Sequence, residues 1–543
     1  MSDKQKSIVG GMTVLGITGL ICKLVAVLYR IPLAWLIGEQ GLGTFQLVFP
    51  TYNLLLTLSS AGLPVAISRM VSYSLAKDDP RNAHRFFRSA LSILTLLGAL
   101  GTLLMIVFNP FLSERVGDPE TRAGFIAIAP ALVIVCTMSA FRGFMQGQQN
   151  MFPTAISQLI EQVGKVIISL PLAYLGSRVG MADPSQINIG FAAAGALLGN
   201  SIGEAFALFY MTLVYRKNRR VFLRLPQQEE AETMGQGEML RKLLALAIPI
   251  TLAACIVPLA AFIDSGMVVN QLISSAGFAR DEARAMYGRY SGYVINLINV
   301  PTALAQAISM SLVPAVSAGV ARRDWRTVRR QSHTGLRMAF LIGLPCSLGM
   351  SMLARPILTL IYSFPSREAL AQTAELLSIS SFTIVLFTVV QATSGILQGL
   401  RKQRIPMYTL LLGVGFKILI NYNLIGMREI NIYGAPMGSL VCYGVSMLPN
   451  LYYVHKYARL PYDPMGIFIK PLLATAGMGG AIYLLQKALP SSRLVTLVLI
   501  LAGVIVYGGL AILLGAMTAA DLKPFTRRLG KRRRGPTNPN AHE

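Results

Sequence analysis

The feature that most constrains this chain is a series of long apolar stretches, which recur from near Thr13 to near Met517 with short polar loops between them. A helix needs about 20 mostly apolar residues to cross a bilayer, and most of these stretches reach that length. With 53% hydrophobic and only 13% charged residues among 543, the chain has too little polar surface for a soluble globule of its size. The sequence therefore predicts an all-α polytopic membrane protein.

About fourteen spans fit the alternation of apolar stretches and polar loops. They are predicted at 10–37, 45–76, 89–112, 121–146, 153–176, 187–215, 243–274, 286–318, 333–362, 371–399, 406–426, 433–454, 465–486 and 494–518. Lys and Arg concentrate in alternate loops, within 77–88, 216–224, 322–330 and 401–404, and in the tail at 523–534. Because basic loops stay on the cytoplasmic side, both termini are expected in the cytoplasm.

Several function classes are disfavoured by the same residues. The formal net charge of +25 could indicate nucleic-acid binding, but no soluble module carries a basic face with base-reading residues, so no nucleic acid is expected as a partner. The five cysteines lie singly in apolar segments without a Cys/His cluster, so neither a metal nor a cofactor is expected. The outward loops are short and poor in carboxylates, and no Walker A sequence occurs, which favours a transporter over an enzyme or an ATPase.

An internal repeat organises the chain. Arg142 to Gly147 matches Ser394 to Gly399 at an offset of 252 residues, and Leu63-Pro64 matches Val313-Pro314 at an offset of 250. A polar segment from Arg216 to Lys242 separates the two copies. Since six spans is an even number, the copies should share one orientation, as in transporters with parallel repeats. The predicted domains are a six-helix lobe at 1–220, a cytoplasmic linker at 221–242, a second six-helix lobe at 243–458, two additional helices at 459–520 and a basic cytoplasmic tail at 521–543.

Basic residues inside the spans are candidates for function, because a charge at the bilayer centre costs about 2.5 to 3.5 kcal/mol unless it meets water or a partner. Lys23 and Arg30 are seven residues apart and share a face of the first span. Arg69 lies near the cytoplasmic end of the second span. Each of the three either lines a wet cavity or snorkels to the interface. Arg289 opens the eighth span among tyrosines, which leaves an interfacial aromatic belt as its alternative.

Acidic and paired charges form a second group. Asp264, in the seventh span, either carries a coupling ion or neutralises a nearby arginine. Glu161 and Lys165 are four residues apart on one helical face and are expected to pair with each other. Lys417, the repeat counterpart of Lys165, has Gly413 in place of the acid and must find another partner. Glu204 in the sixth span remains unassigned.

Glycines recur with G-x-x-x-G spacing in both copies of the repeat, at Gly143 and Gly147 and at Gly395 and Gly399. Such spacing permits close approach of two helices in a membrane. Helix packing is therefore favoured over substrate contact as the role of these glycines.

Two stretches carry a family resemblance, Arg142 to Met151 with the pattern R-G-x-x-Q-G-x-x-N-M and Ser59 to Pro64 with the pattern S-x-x-G-x-P. Together with the span count and the linker after the sixth span, they resemble the MurJ and SpoVB branch of the multidrug/oligosaccharidyl-lipid/polysaccharide (MOP) exporter superfamily over about residues 8–520. The resemblance implies a flippase that moves lipid II, or a related undecaprenyl-pyrophosphate oligosaccharide, from the inner to the outer leaflet by alternating access.

The resemblance also implies that basic residues on helices one, two and eight line the cavity, and that the two additional helices help to form a groove for the lipid tail. It carries a substrate-binding role onto Lys23, Arg30 and Arg289, with Arg69 as a further candidate. The stretch from Tyr52 to Ser60 lacks the arginine of the proteobacterial pattern, which favours the SpoVB-like branch linked to sporulation.

The alternative function is a cation-coupled multidrug exporter of the MATE type. Such exporters usually have twelve spans and acidic pockets for cationic drugs, whereas the intramembrane charge here is mainly basic. Coupling to the membrane potential, to Na⁺ or to H⁺ stays open. The expected setting is the bacterial inner membrane, with a lipid-linked oligosaccharide as substrate and a monomer as the working unit.

Overall fold

The apolar stretches of the sequence form helices, and all regular secondary structure is helical within residues 3–77, 79–181, 186–222, 235–460, 463–490 and 492–517, which the computed structural model describes. The helices are α1 (Asp3–Ser60), α2 (Leu63–Ala76), α3 (Pro80–Val107), α4 (Asn109–Arg115), α5 (Thr121–Gly147), α6 (Phe152–Ser177), α7 (Ile189–Phe222), α8 (Gln236–Ala254), α9 (Ile256–Ser274), α10 (Arg280–Tyr287), α11 (Ile295–Ala321), α12 (Trp325–Met352), α13 (Ala354–Ile361), α14 (Arg367–Gly399), α15 (Arg404–Ile425), α16 (Gly434–Ala458), α17 (Lys470–Ala488) and α18 (Arg493–Leu513).

Twelve helical segments of the described residues are long and apolar enough to cross a membrane. The first of them, Ile21–Ala76, covers most of the first predicted span and all of the second, and α16 overlaps the predicted span at 433–454. Large apolar side chains such as Leu96, Leu494 and Leu513 are at least 70% exposed, as expected for helices that face lipid. The predicted fold class, an all-α polytopic membrane protein, is confirmed.

Helix α1 differs from the expected pair of short spans. It runs for 58 residues and contains Pro32 and Pro50, and its one non-helical residue is Gly38, with φ 65° and ψ −174°. That backbone conformation is essentially restricted to glycine. The boundary predicted at 38–44 is therefore a kink within one helix, and the chain leaves the helix only after Ser60, before Pro64 in the first turn of α2.

The segment between the predicted spans 243–274 and 286–318 is helical from Arg280 onward. Helix α10 continues through a π-helical segment, Gly288–Val294, directly into α11. Helices extend into both ends of the linker predicted at 221–242, since α7 ends at Phe222 and α8 begins at Gln236. The remainder of the linker, at 223–234, and the basic tail at 521–543 lie outside the described residues.

Side-chain caps fix the starts of two helices that follow basic loops. Asp79 accepts a hydrogen bond from the backbone nitrogen of Asn82 at 2.9 Å, and Pro80 occupies the first turn of α3. Asp324 accepts from the backbone nitrogen of Thr327 at 3.0 Å at the start of α12. Hydrogen bonds from Thr327 lower the pKa of Asp324. Each carboxylate satisfies donors that the first helical turn would otherwise leave free.

The chain forms two compact units. Unit 1 comprises Met1–Ala303, Ile361–Leu376 and Leu410–Cys442. One apolar cluster in it joins α2, α3, α5, α7 and α8 around the buried aromatic residues Phe86, Phe87 and Phe144. Unit 2 comprises Leu304–Leu360, Leu377–Thr409 and Tyr443–Glu543. An apolar cluster in unit 2 includes Leu336, Ile396 and Val454. The lobe boundaries at 220, 242 and 458 remain predictions.

The repeated glycines pack helices together in both units. In unit 1, a Cβ at Gly143 would lie 2.7 Å from the carbonyl oxygen of Pro64, and one at Gly147 would lie 2.7 Å from Cβ of Val71. In unit 2, a Cβ at Gly395 would lie 2.7 Å from the carbonyl oxygen of Ser309, and Gly399 meets Val316 in the same way. The packing role predicted for these glycines is confirmed.

The packing partners also correct the alignment of the two copies. The glycines are related by 252 residues, but their partners Pro64 and Ser309, like Val71 and Val316, are related by 245. The sequence match of Leu63-Pro64 with Val313-Pro314 gave an offset of 250 residues. That match is therefore wrong, because it pairs positions that are five residues out of register. Short apolar motifs recur by chance in membrane helices, whereas a close glycine contact fixes the register.

Candidate substrate and ion sites

The cationic face of α1 contains Lys23 and Arg30. Lys23 is exposed, and Arg30 is half-buried, with Tyr29 on its own helix and Tyr362 as neighbours in electrostatic contact. Helical periodicity places the two cations on one side of α1, as expected from their spacing. Two basic side chains along one face of a membrane helix can replace part of the hydration of an anionic group.

Arg69 lies on α2 and is exposed. No ion pair of Arg69 occurs among the residues that the structure describes. Its position midway along α2 fits either of the two roles expected for it, which are an anchor at the interface and a substrate contact.

A group of buried charges, termed here the Glu204 cluster, joins α1, α5, α6 and α7 within unit 1. Its members are Tyr52, Arg142, Glu161, Lys165 and Glu204. The hydroxyl of Tyr52 donates to Oε1 of Glu204 at 3.1 Å, and Nη2 of Arg142 lies 3.0 Å from Oε2 of Glu161. Nζ of Lys165 lies 5.6 Å from the ring centre of Phe49 and interacts electrostatically with both glutamates.

The expected pairing of Glu161 with Lys165 is wrong. The ion pair of Glu161 is with Arg142, on the neighbouring helix α5. The helical spacing of four residues brings Lys165 to the same side as Glu161, but Arg142 also donates from Nε to Ser157 on α6 at 2.9 Å, which orients its guanidinium group toward Glu161. A planar guanidinium held at two points is a better partner for a carboxylate than a flexible ammonium.

Close packing of α6 on α7 holds the Glu204 cluster together. A Cβ at Gly203 would lie 2.7 Å from the backbone nitrogen of Lys165 and 3.1 Å from the carbonyl oxygen of Glu161. Two glycines, Gly164 and Gly203, face each other at this point. The backbones can therefore approach closely enough for Glu204 and Lys165, the residues that follow these glycines, to interact.

A second group, termed here the Asp264 site, joins α9 and α15 within unit 1. Nζ of Lys417 donates to Oδ2 of Asp264, and Nδ2 of Asn421 donates to Oδ1 at 3.1 Å. Lys417 was expected to need a partner other than a residue at position 413, and Asp264 is that partner. One alternative for Asp264 was that it neutralises a nearby arginine. It does neutralise a cation, but that cation is a lysine, Lys417.

Arg289 is buried, at 8% exposure, in the π-helical segment between α10 and α11. Its Nη1 lies 3.0 Å from Oε1 of Glu39 on α1, and its Nη2 donates to Oε1 of Gln372 at 2.9 Å. The neighbouring Tyr287, Tyr290 and Tyr293 are buried as well. The alternative of an interfacial aromatic belt is therefore wrong, because such a belt would expose its rings to the head groups.

One buried ion pair joins residues that no sequence signal singled out. Nη2 of Arg284 lies 2.6 Å from Oδ1 of Asp118, whose other oxygen accepts from the hydroxyl of Thr44 at 2.9 Å. Asp118 is fully buried and Arg284 is 4% exposed. The two residues are 166 positions apart, and both fall in segments interpreted as loops, so neither spacing nor hydropathy could have linked them.

Comparisons with known proteins agree with this architecture. The family described as "Polysaccharide biosynthesis protein" matches residues 8–320, and the family MatE matches residues 291–423. "Lipid II flippase MurJ" of Bacillus subtilis (strain 168) is 26% identical over an alignment of 494 residues, and the alignment covers 88% of each chain.

Two solved structures have a similar fold. "Lipid II flippase MurJ, inward closed conformation" superposes with a TM-score of 0.70 at 13% identity, over 95% of this chain and 99% of that one. An inward-facing multidrug resistance MATE family transporter of the MOP superfamily superposes with a TM-score of 0.62 at 16% identity, over 83% of this chain and 99% of that one. The chain therefore belongs to the polysaccharide biosynthesis protein family.

Proposed function

We propose that this protein is a flippase that moves lipid II, or a related undecaprenyl-pyrophosphate oligosaccharide, from the inner to the outer leaflet by alternating access. The observation that carries the proposal is the similarity to a lipid II flippase over 88% of both chains. The basic residues on the first helix agree with it, since a pyrophosphate head group needs cations in order to leave water.

Lys23 and Arg30 are the first contacts for the diphosphate in this proposal. Lys23 is exposed and Arg30 is half-buried, so both can reach a ligand without the removal of a packed side chain. A guanidinium group binds phosphate with two parallel hydrogen bonds, and an ammonium group adds a point charge. The polyprenyl tail remains in lipid while the head group crosses.

Arg289 enters the proposal in a different way, because Glu39 already holds it. Substrate binding there exchanges one anion for another, with the diphosphate replacing Glu39. Nε of Arg289 is buried without a hydrogen-bond partner among the described residues, so the guanidinium group has a donor left for that exchange. Arg69 is an additional candidate on α2.

The test is flipping of a fluorescent lipid II analogue across proteoliposomes. Arg30→Ala and Arg289→Ala are expected to lower the flipping rate by at least about tenfold each, as for the loss of a charge-assisted hydrogen bond of about 1.4 kcal/mol or more. Arg428→Ala serves as the matched control, because Arg428 is exposed in the loop after α15 and lies outside the proposed sites. Unchanged flipping in both test variants rejects the cationic mechanism.

A MATE-type exporter of small molecules is the second candidate. It is favoured by the MatE match at 291–423 and by the similar fold of a MATE transporter. Resistance profiles on overexpression separate the two functions, since an exporter raises tolerance to cationic drugs. Depletion of the protein, followed by identification of the lipid-linked precursor that accumulates, tests the flippase.

The setting of the proposal is the bacterial inner membrane, with a monomer as the working unit and both termini in the cytoplasm. The distribution of basic loops supports this orientation. Reporter fusions at the termini and after α7 test it, because all three are expected on the cytoplasmic side.

A further inference from the structure

Glu204 is a buried acid whose hydrogen bonding is incomplete. Its side chain lies on α7, and the residue is 7% exposed. Oε1 accepts one hydrogen bond, from Tyr52 at 3.1 Å. Oε2 is buried and has no partner within the part of the chain that the structure describes. A buried carboxylate oxygen without a donor is costly, and the cost falls when that oxygen binds a proton, because a neutral carboxyl group is cheaper to bury than a charged one.

The charges around Glu204 come from each helix packed on α7. The surrounding titratable and charged groups are Arg30 and Tyr52 on α1, Cys136 and Arg142 on α5, and Glu161 and Lys165 on α6. Arg142 and Glu161 neutralise each other at 3.0 Å. Lys165 is then the cation that balances a charged Glu204.

This set of neighbours selects a proton over a metal ion. A sodium ion needs several oxygen ligands and would lie beside the ammonium group of Lys165, which repels it. A proton needs one oxygen, and Oε2 is available. Two further acceptor oxygens, Oε1 of Gln158 and Oε1 of Gln162 on the same helix as Lys165, are also buried without partners among the described residues.

We propose that Glu204 binds and releases one proton in each transport cycle, and so couples flipping to the proton gradient. The O–H bond forms at Oε2 with a proton taken from water on one side, and it breaks with release of that proton to water on the other side. When Glu204 is protonated, Lys165 loses its counter-charge, and when Glu204 is charged the two attract each other. This coupling rests on the proposed flippase function.

Infrared difference spectroscopy of the full-length protein in lipid tests proton binding without any substrate. Wild type is expected to show a protonated carboxyl band that disappears as the pH is raised, and Glu204→Gln is expected to lose it. Glu204→Asp keeps a carboxyl group and should show a shifted band. Glu368→Gln is the matched control, because Glu368 is an exposed acid in the first turn of α14 outside the proposed sites, and its band should equal that of wild type. A titrating band that persists in Glu204→Gln overturns the proposal.

Flipping under an imposed pH gradient tests the coupling. With one proton per cycle, each pH unit is worth about a tenfold change in the transmembrane ratio of the lipid II analogue. Wild type and Glu368→Gln should show this change, whereas Glu204→Gln should flip without responding to the gradient. If wild type flips but ignores the gradient, the coupling is refuted and the flippase function stands. If wild type does not flip at all, the flippase function fails, and the infrared measurement still decides proton binding.

Discussion

Glu204 and Asp264 are both acids on membrane-spanning helices of unit 1, but their surroundings differ. Each oxygen of Asp264 has its own donor, with Lys417 on Oδ2 and Asn421 on Oδ1. Glu204 has one donor and one oxygen without a partner among the residues described. Neighbouring side chains therefore balance the charge of Asp264, whereas the charge of Glu204 depends on whether it binds a proton.

The difference bears on where an ion can act. Asp264 was a candidate for ion coupling in the sequence, and its carboxylate now has an ammonium group in contact. A second cation would have to displace Lys417. The ammonium group of Lys417 thus balances the charge of Asp264, whereas the incomplete hydrogen bonding of Glu204 indicates a group that changes state.

The largest expected effect comes from removal of the cation at the Asp264 site. Lys417→Met should lower the free energy of unfolding by about 3 kcal/mol, because Asp264 keeps a buried charge without its ammonium partner. The lower end of the usual range applies because the two side chains are 21% and 18% exposed. Equilibrium unfolding in mixed micelles measures the effect.

The double variant Lys417→Met with Asp264→Asn is the control for this prediction. It removes both charges and should recover most of the lost stability. A loss in Lys417→Met that the second substitution does not reduce would mean that Asp264 is balanced by other groups, and the contrast with Glu204 would disappear.

An intermediate effect is expected from one glycine near each acid site, Gly203 next to Glu204 and Gly415 near Lys417. Gly203→Ala should cost about 2 kcal/mol, because the new methyl group would press against the backbone of Lys165 and Glu161. A methyl group at Gly415, near Lys417 on α15, would meet no atom within 4 Å. Gly415→Ala should therefore be neutral or more stable by up to about 1 kcal/mol.

The same unfolding measurement compares the two alanine variants. If Gly203→Ala lowers the free energy of unfolding and Gly415→Ala raises it, the tight packing is at the Glu204 cluster and not around Lys417. Equal losses in both would show that the helix around Lys417 is packed just as closely, contrary to the structure.

The smallest effect concerns Asp463, which provides a reference acid outside the membrane spans. The backbone N–H of Gly466, followed by the side chain of His333, lowers the pKa of Asp463 below its ordinary value. Its contribution to stability is therefore present above the ordinary pKa of an aspartate and is lost as the pH falls below it. Because the side chain is 41% exposed, Asp463→Asn should cost less than about 1 kcal/mol at neutral pH.

Melting temperatures of wild type and Asp463→Asn at neutral and acidic pH test this expectation. The two proteins should converge on acidification. If they differ as much in acid as at neutral pH, the carboxylate charge of Asp463 is not what stabilises the start of the segment after it.

Hydropathy was sufficient to predict the fold class, because the bilayer requires long apolar helices whatever their packing. The repeat was sufficient to predict that Lys417 needs a partner. The identity of that partner required the structure, since Asp264 lies 153 residues away. Charge pairs between helices depend on rotation and register, and a single sequence specifies neither.

Local rules failed where a neighbouring helix offered a better contact. Helical spacing paired Glu161 with Lys165, but Arg142 from α5 takes that carboxylate. The ion pair of Asp118 with Arg284 was missed for a similar reason, because both residues lie in segments without apolar periodicity. Kinks are equally difficult, since Gly38 interrupts the hydropathy pattern as a loop would while the helix continues on both sides.

Gly38 is the one residue of α1 at which the backbone departs from helical geometry, and it divides the helix into two arms. A methyl group at this position would meet no atom within 4 Å, so space would allow a larger residue. The bend depends instead on a backbone conformation that only glycine adopts easily. Lys23 and Arg30 lie on one arm, and Tyr52 lies on the other. Replacing Gly38 by any other residue would therefore strain the bend that sets the direction of the basic arm relative to the arm with Tyr52.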